Sequence, residues 1–496
     1  MKQNERKIVT KKSLDRRRYF IIFASFTAAL LVVVAIFQLV INKKRADWLA
    51  GDLGTSRDQM FPLVFETGRG LFFAENETDV RQIDDAAVQP VYDASLGRVY
   101  YIFPDSPALY EYNANSNTRV KLCENVAEYF LFKERTMIPF VDNGGSLRIY
   151  DYNKKTTALI AENALVLAVG KSFLAYGMPA DDADILYLLN YNGESVEIGS
   201  FDSALPVYIW QEDRAVSYYN ENGLNVTAVN NMRKGTGACF GEAEVIINRA
   251  VYEGNGECTA ETFDGCVAVS HILTSGGELI YVKTGLSGSI KTESVSENVT
   301  EVLGANPDSG IAVYIKAGII HYCVKAKESA LFEAAPEAEY NFVPANNCLY
   351  MLEEDGTLSA VIINSGNATK TVLDYNCGSV RLSPGKSLVF AESADGKTVK
   401  TFLKTVQTDY FPADEVHCYG KSDSNYIMLR NGSVDLAESG EYRRVASDCE
   451  LVAFEKNLNR ILYRKDGKLY LYSEGNVTEL YNAEDYAVAV KIVTEE

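Results

Sequence analysis

Histidine and tryptophan are nearly missing from this 496-residue chain, which has three of the first and two of the second. The three histidines, His271, His321 and His417, form no HExxH pair, and the nine cysteines include no CxxC, so zinc chemistry is unsupported. Each histidine falls in or beside a β-rich run, the setting of a satisfied structural imidazole. The cysteines are too sparse for a disulfide scaffold. Most sit beside apolar or aromatic residues, as in Tyr322-Cys323-Val324 and Asn347-Cys348-Leu349-Tyr350, and read as small buried hydrophobes. Cys258 and Cys266 are near enough to close a local loop, although spacing leaves connectivity open.

Motifs of other chemistries are missing by small margins. Gly285-Leu286-Ser287-Gly288 approaches the nucleophile elbow G-x-S-x-G, but its second glycine comes one residue early and no helical pattern follows. Gly235-Thr236-Gly237-Ala238-Cys239-Phe240-Gly241 is one residue too long for a dinucleotide fingerprint and lacks a βαβ setting. Asp181-Asp182-Ala183-Asp184 lacks the spacing and distal glutamate of a calcium loop. Ser393-Ala394-Asp395-Gly396 has its glycine too early for a sialidase Asp box and reads as a hairpin turn. No residue is therefore assigned a catalytic, metal-binding or cofactor-binding role.

Positive charge is scarce wherever the chain is long. The first 45 residues hold 11 Lys/Arg against 2 Asp/Glu, which leaves 37 basic and 65 acidic residues beyond Arg45, a balance of −28. A body that acidic is repelled by phosphate backbones and anionic headgroups, so nucleic acid is excluded as a partner.

One long apolar run is present. Residues 21–41 read IIFASFTAALLVVVAIFQLVI, with no charge. At about 1.5 Å per residue the run reaches roughly 31 Å, the thickness of a bilayer's hydrocarbon core. It is longer than a secretory signal's apolar region and has no small-residue cleavage pattern behind it, so it is expected to stay as an anchor. Eight Lys/Arg precede it, ending in Arg16, Arg17 and Arg18, and three follow. The positive-inside rule then places the N-terminus in the cytoplasm and the bulk of the chain outside. Tyr19 and Trp48 stand near the two ends, where amphipathic rings prefer the headgroup region. The expected organisation is a basic tail (1–20), a transmembrane helix (21–41), a linker (42–59) and an extracytoplasmic domain (60–496).

That domain shows no convincing long helical pattern. With 31 Tyr and 22 Phe, its aromatics suit half-buried pleated surfaces. Pairs of short β-rich runs recur, joined by turn residues: Met137-Ile138-Pro139-Phe140-Val141 turns through Asp142-Asn143-Gly144-Gly145 into Leu147-Arg148-Ile149-Tyr150. Such hairpins begin near residues 98, 137, 172, 215, 266, 311, 347, 387, 425 and 460, mostly about 40 apart. Two further strands lie between successive hairpins, for example Thr157-Ala158-Leu159-Ile160 and Leu165-Val166-Leu167-Ala168-Val169. Four short strands per ~40 residues is the period of a propeller blade. The final run, residues 486–493, is expected to pair near residues 61–65 and close the ring.

Leu382-Ser383-Pro384-Gly385-Lys386-Ser387-Leu388-Val389-Phe390-Ala391 resembles the S-P-D-G-K blade motif of TolB-like propellers, without its aspartate. Asn306-Pro307-Asp308-Ser309-Gly310-Ile311-Ala312-Val313-Tyr314 and Ala94-Ser95-Leu96-Gly97-Arg98-Val99-Tyr100-Tyr101 are looser copies. The resemblance implies a tight turn feeding an innermost strand. The expected fold is all-β: a propeller of about 7–10 four-stranded blades, in one ring or two in tandem, behind one transmembrane helix. Residues 231–262 depart most from the repeat, as a long loop or a boundary between rings. The expected function is non-catalytic binding or scaffolding of protein, peptide or glycan at a membrane surface, with the bilayer as the other partner. The alternative is an extracytoplasmic carbohydrate-active or cell-wall enzyme with a carboxylate pair at the propeller channel.

Overall fold

The run Arg98-Val99-Tyr100-Tyr101-Ile102-Phe103 shows what one repeat does with its sequence. It is a strand buried along its middle four residues, apolar without alternation. Val99 and Tyr101 pack into the sheet before it, while Tyr100 and Ile102 pack into the sheet after it. A strand whose two faces are both covered needs no polar face, which is why these hairpin strands read as continuous apolar runs.

The computed structural model describes residues 56–492, apart from 58, 68, 133–134, 181–182, 211–213, 231–232, 248–265, 268, 286–287, 336, 345, 365–366, 383–387, 412–414, 419–424, 439–440, 456–459 and 483–490. The expected tail, transmembrane helix and most of the linker lie outside the described residues, with Arg16, Arg17, Arg18, Tyr19 and Trp48. So do Cys258, Asp181, Asp182, Leu286, Ser287 and the turn of the best TolB-like copy. Among the described residues, no helix is long and apolar enough to cross a membrane.

Eleven sheets of four or five strands follow one another. We number them as blades: 1 (63–84, completed by 491–492), 2 (88–124), 3 (126–161), 4 (165–200), 5 (208–239), 6 (243–296), 7 (299–333), 8 (339–374), 9 (377–411), 10 (415–446) and 11 (450–482). In blades 2–11 the four strands are consecutive in sequence and in space, apart from the short Cys266–Val267 strand, which crosses from blade 6 to blade 5. The second–third pairing is regular in all eleven, as in Arg98–Phe103 with Ala108–Asn113. The third–fourth pairing slips in all eleven, as between Leu109 and Tyr110. A bulge adds local twist, so each outermost strand is turned away from the regular hairpin inside it.

Eleven apolar clusters hold the blades, one at each interface between neighbours. The decisive one joins blade 11 to blade 1 and contains Leu63, Phe65, Phe72, Ala453, Leu462 and Leu471. With that contact the series closes on itself, and the domain is a single eleven-bladed β-propeller. The expected range of seven to ten blades is corrected to eleven, and the tandem-ring alternative is removed. Nor is 231–262 a ring boundary: Arg233–Cys239 is the outermost strand of blade 5, and Ala243–Ile247 is the first of blade 6.

The blade missing from the sequence reading is the first. Leu63–Thr67 is its second strand, and its innermost strand is Lys491–Ile492 from the far end of the chain, paired antiparallel as Phe65 with Ile492 and Glu66 with Lys491. The predicted ring-closing pair is thus present over its described residues. The TolB-like strands need a correction. Arg98–Phe103, Ile311–Lys316 and Leu388–Ser393 are second strands, fed by the turn from the innermost one.

Two short segments extend the sheets into the channel. Ser56–Arg57 adds in parallel to Glu450–Glu455 of blade 11, and Cys266–Val267 adds in parallel to Tyr208–Trp210 of blade 5. The first is clasped further on: the Met60 N–H donates to buried Glu455 Oε1 at 2.7 Å, and Arg460 Nη1 donates to the same oxygen at 3.1 Å.

Candidate functional site

The first strand of each blade faces the axis, and its register against the second strand fixes what it shows there. Position five of the second strand is Val141 in blade 3, Leu273 in blade 6, Ile315 in blade 7, Leu352 in blade 8, Leu429 in blade 10 and Arg464 in blade 11. The residues opposite are Glu128, Glu244, Glu301, Glu339, Glu415 and Glu450. Among the described residues, six blades therefore hold a glutamate at one level, near the start of the first strand and on the end of the ring that carries the second–third turns. Glu128, Glu244, Glu301, Glu339 and Glu450 are exposed. At the same level blades 2 and 4 carry Val88 and Leu165, opposite Ile102 and Gly177, exposed at 42% and 55%. Asn341 Nδ2 donates to Glu339 at 2.8 Å, and Glu450 pairs with Arg464.

This level was not predicted from sequence, yet a signal exists. Each glutamate is followed by an apolar or aromatic residue: Glu128-Tyr129, Glu244-Val245, Glu301-Val302, Glu339-Tyr340, Glu415-Val416 and Glu450-Leu451. Aligning the repeats on their hairpins brings five of these pairs to within one position of each other, while Glu244 stands apart because a longer stretch of chain separates it from its hairpin.

The nearest approach to nucleophilic chemistry lies between blades 6 and 7. His271 is fully buried, its Nδ1 2.7 Å from Ser270 Oγ and its Nε2 3.6 Å from Cys323 Sγ. Burial pushes the Cys323 thiol up to about 12 and the His271 imidazole down to about 3. A cysteine nucleophile needs a thiolate within reach of substrate. Here both groups are neutral and sealed in, so the contact is structural, as expected for this histidine. His321 Nδ1 meets Glu328 at 2.8 Å and stacks on Tyr314. His417 lies in the first strand of blade 10. Of the cysteines, Cys123, Cys323, Cys348 and Cys377 are buried as expected, Cys239 is exposed and Cys449 lies between.

Three buried carboxylates, Asp93, Glu111 and Asp84, tie blades together. Asp93 of blade 2 accepts from Arg135 Nε at 2.8 Å, Ser95 Oγ at 2.6 Å and the Leu96 N–H at 3.2 Å. Burial alone would raise its carboxyl, but Ser95, Arg135 and Leu96 together hold it below the usual carboxylate range. Glu111 takes Arg98 Nη1 at 3.2 Å and Tyr152 OH at 3.1 Å, and Asp84 takes Tyr101 OH at 2.8 Å. Each is committed to a neighbour, whereas a glycosidase pair must face a bond across open space. Among the described residues no group of three His, Cys, Asp or Glu is placed to hold a metal ion. Ser393 Oγ donates to Asp395 at 2.6 Å within the expected hairpin turn. A half-open cavity of about 300 Å³ between blades 1 and 2, over Phe73 and Tyr92 with Glu75 and Asn115 on its wall, opens near the first–second turn of blade 2.

No protein-family model matches the chain and no curated protein matches it, so the TolB-like resemblance has no family match behind it. Two solved structures are similar in part. The tricorn protease is 12% identical with a TM-score of 0.26 over 88% of this chain, which spans 47%, about half, of that protein's chain. The GH74 enzyme of Niastella koreensis is 12% identical with a TM-score of 0.26, over 86% of this chain and 81% of that one. Such values transfer nothing about activity from either protein.

Proposed function

We propose that this chain is a non-catalytic binding module, held at a membrane by residues 21–41 and exposed outside the cytoplasm, which takes a basic protein or peptide at the glutamate level of its channel. The observation that carries the reading is the shared register of Glu128, Glu244, Glu301, Glu339, Glu415 and Glu450, with Val88 and Leu165 beside them. One exposed carboxylate contributes little to affinity. Several of one sign around a low-dielectric channel focus the field and draw in a cationic partner. The apolar side chains add contact area that charge alone lacks.

The test is binding of labelled octalysine to the full chain in detergent. Changing Glu301, Glu339 and Glu450 together to Gln is expected to weaken it at least tenfold, as is raising salt from about 50 to 300 mM. Absence of binding by the unaltered protein overturns the reading. Protease added to intact cells is expected to remove the chain beyond about residue 60, and full protection overturns the anchored topology.

A further inference from the structure

The first strand of a blade ends its sheet, and its inner backbone edge is open to whatever enters the channel. Among the described residues, two of these edges are already filled by the protein's own chain. Ser56–Arg57 lies on blade 11 with Arg57 opposite Glu455, and Cys266–Val267 lies on blade 5 with Cys266 opposite Ile209. Both additions are parallel and are made by segments of two residues. This ring therefore accepts an added strand at its inner edge, in a defined direction.

The remaining edges are not equal. A bulge limits an edge to the residues on one side of it, because it bends the strand and breaks the even spacing of its N–H and C=O groups. The first strand of blade 11 shifts between Leu451 and Ala453, and Ser56–Arg57 pairs only beyond that shift, at Phe454 and Glu455. The first strands of blades 2, 3, 4, 6, 7 and 9 each carry a register shift against their second strand. Blade 8 does not. Glu339–Val343 pairs without interruption over five residues, from Glu339 with Leu352 to Val343 with Cys348, and no further strand lies on it among the described residues. It is the longest unbroken first strand among the described residues, followed by Glu415–Cys418 of blade 10.

Charge supplies the chemistry of the occupant. Exposed Glu339 opens the strand, and exposed Glu301 stands at the same level on blade 7. The first strand of blade 7 runs close by: a Cβ on Gly304 would lie 2.8 Å from Phe342 Cβ. A strand added in parallel begins at the glutamate end, so its N-terminal residues meet both carboxylates.

We infer that the inner edge of Glu339–Val343 binds an extended peptide as an added parallel strand, with lysine or arginine in the peptide's N-terminal half beside Glu339 and Glu301. This rests on the binding reading above and deepens it. Backbone hydrogen bonds give such a complex its affinity, and alternate side chains give it selectivity.

The experiment uses the full chain in detergent and three labelled octapeptides, read by fluorescence anisotropy. The first is Lys-Val-Lys-Val-Thr-Val-Thr-Val, the second carries its lysines at positions five and seven, and the third is the first with alternate backbone nitrogens methylated. The first is expected to bind at least tenfold more tightly than either of the others. Carbodiimide coupling is expected to join its lysines to Glu339 or Glu301, and E339Q with E301Q to weaken binding tenfold while leaving the urea midpoint unchanged. Equal binding by the methylated peptide overturns strand addition, as does binding of octalysine alone; both outcomes leave the acidic-channel reading standing. Coupling confined to other carboxylates overturns the assignment to blade 8. Failure of octalysine as well is the failure of the underlying binding reading.

Discussion

Phe65→Ala is expected to lower the free energy of unfolding by about 3–5 kcal/mol, the range for truncating a fully buried phenylalanine. Phe65 is buried in the closing cluster and stacks on Phe72 with ring centroids 5.4 Å apart. It also lies opposite Ile492, at one of the places where the two ends of the domain meet. Removing it leaves a cavity between blades 11 and 1 and loosens the innermost strand of blade 1 together. Phe65→Leu keeps most of the apolar volume and is expected to cost under about 1.5 kcal/mol. Urea unfolding of the two variants beside the unaltered chain measures both. If Ala and Leu shift the midpoint equally, packing at this contact does not close the ring.

The same contact explains how much of the fold could be read from the chain. Ten hairpins were legible because the second strands are apolar along their middle and most of the turns carry residues suited to a positive φ, such as Gly145 and Asp466-Gly467. The eleventh was lost because blade 1 takes its first strand from residues 491–492. A count of blades needs the pairing of distant segments, which no local pattern carries. Strand order within a blade was misjudged for a related reason. First and second strands both end in a turn and both are apolar, and only burial on two faces marks the second.

The candidate site was legible in part. The pairs Glu128-Tyr129 and Glu339-Tyr340 recur in sequence, but glutamate in an acidic chain has little weight until register places it on the axis. The two added strands had no signal, since two residues make no periodicity. His271 gave the opposite lesson. Its strand, Val269–Thr274, sets Val269 before it and Ile272 and Leu273 after it, with Ser270 as its partner, and a satisfied core imidazole was the expectation the structure met.

That imidazole makes the folded chain sensitive to acid. In the fold its pKa is pushed down to about 3 by burial, against an ordinary value of 6.5. The groups in contact with it are the Ser270 hydroxyl, the Cys323 thiol and, at 5.4 Å, the Tyr281 ring. All three are neutral in acid, so none offers a negative charge to hold a proton. Between pH 6.5 and about 3 the unfolded chain takes up a proton that the folded chain refuses. Stability therefore rises with pH across that window and is lost as pH falls, at about 1.4 kcal/mol per unit from this residue. From pH 6.5 to 5.0 the loss is about 2 kcal/mol, before most carboxylates begin to protonate. His271→Phe keeps a flat ring and removes the titration. Its stability at neutral pH is expected to fall by about 1–2 kcal/mol, because Ser270 loses a buried partner. Its slope between pH 5.0 and 6.5 is expected to be shallower than that of the unaltered chain by the same 2 kcal/mol over the interval. Comparing the two proteins separates His271 from His321 and His417, which both retain. Equal slopes in urea titrations at the two pH values would mean that the buried imidazole takes up its proton in the folded ring, and that the seal between blades 6 and 7 admits water.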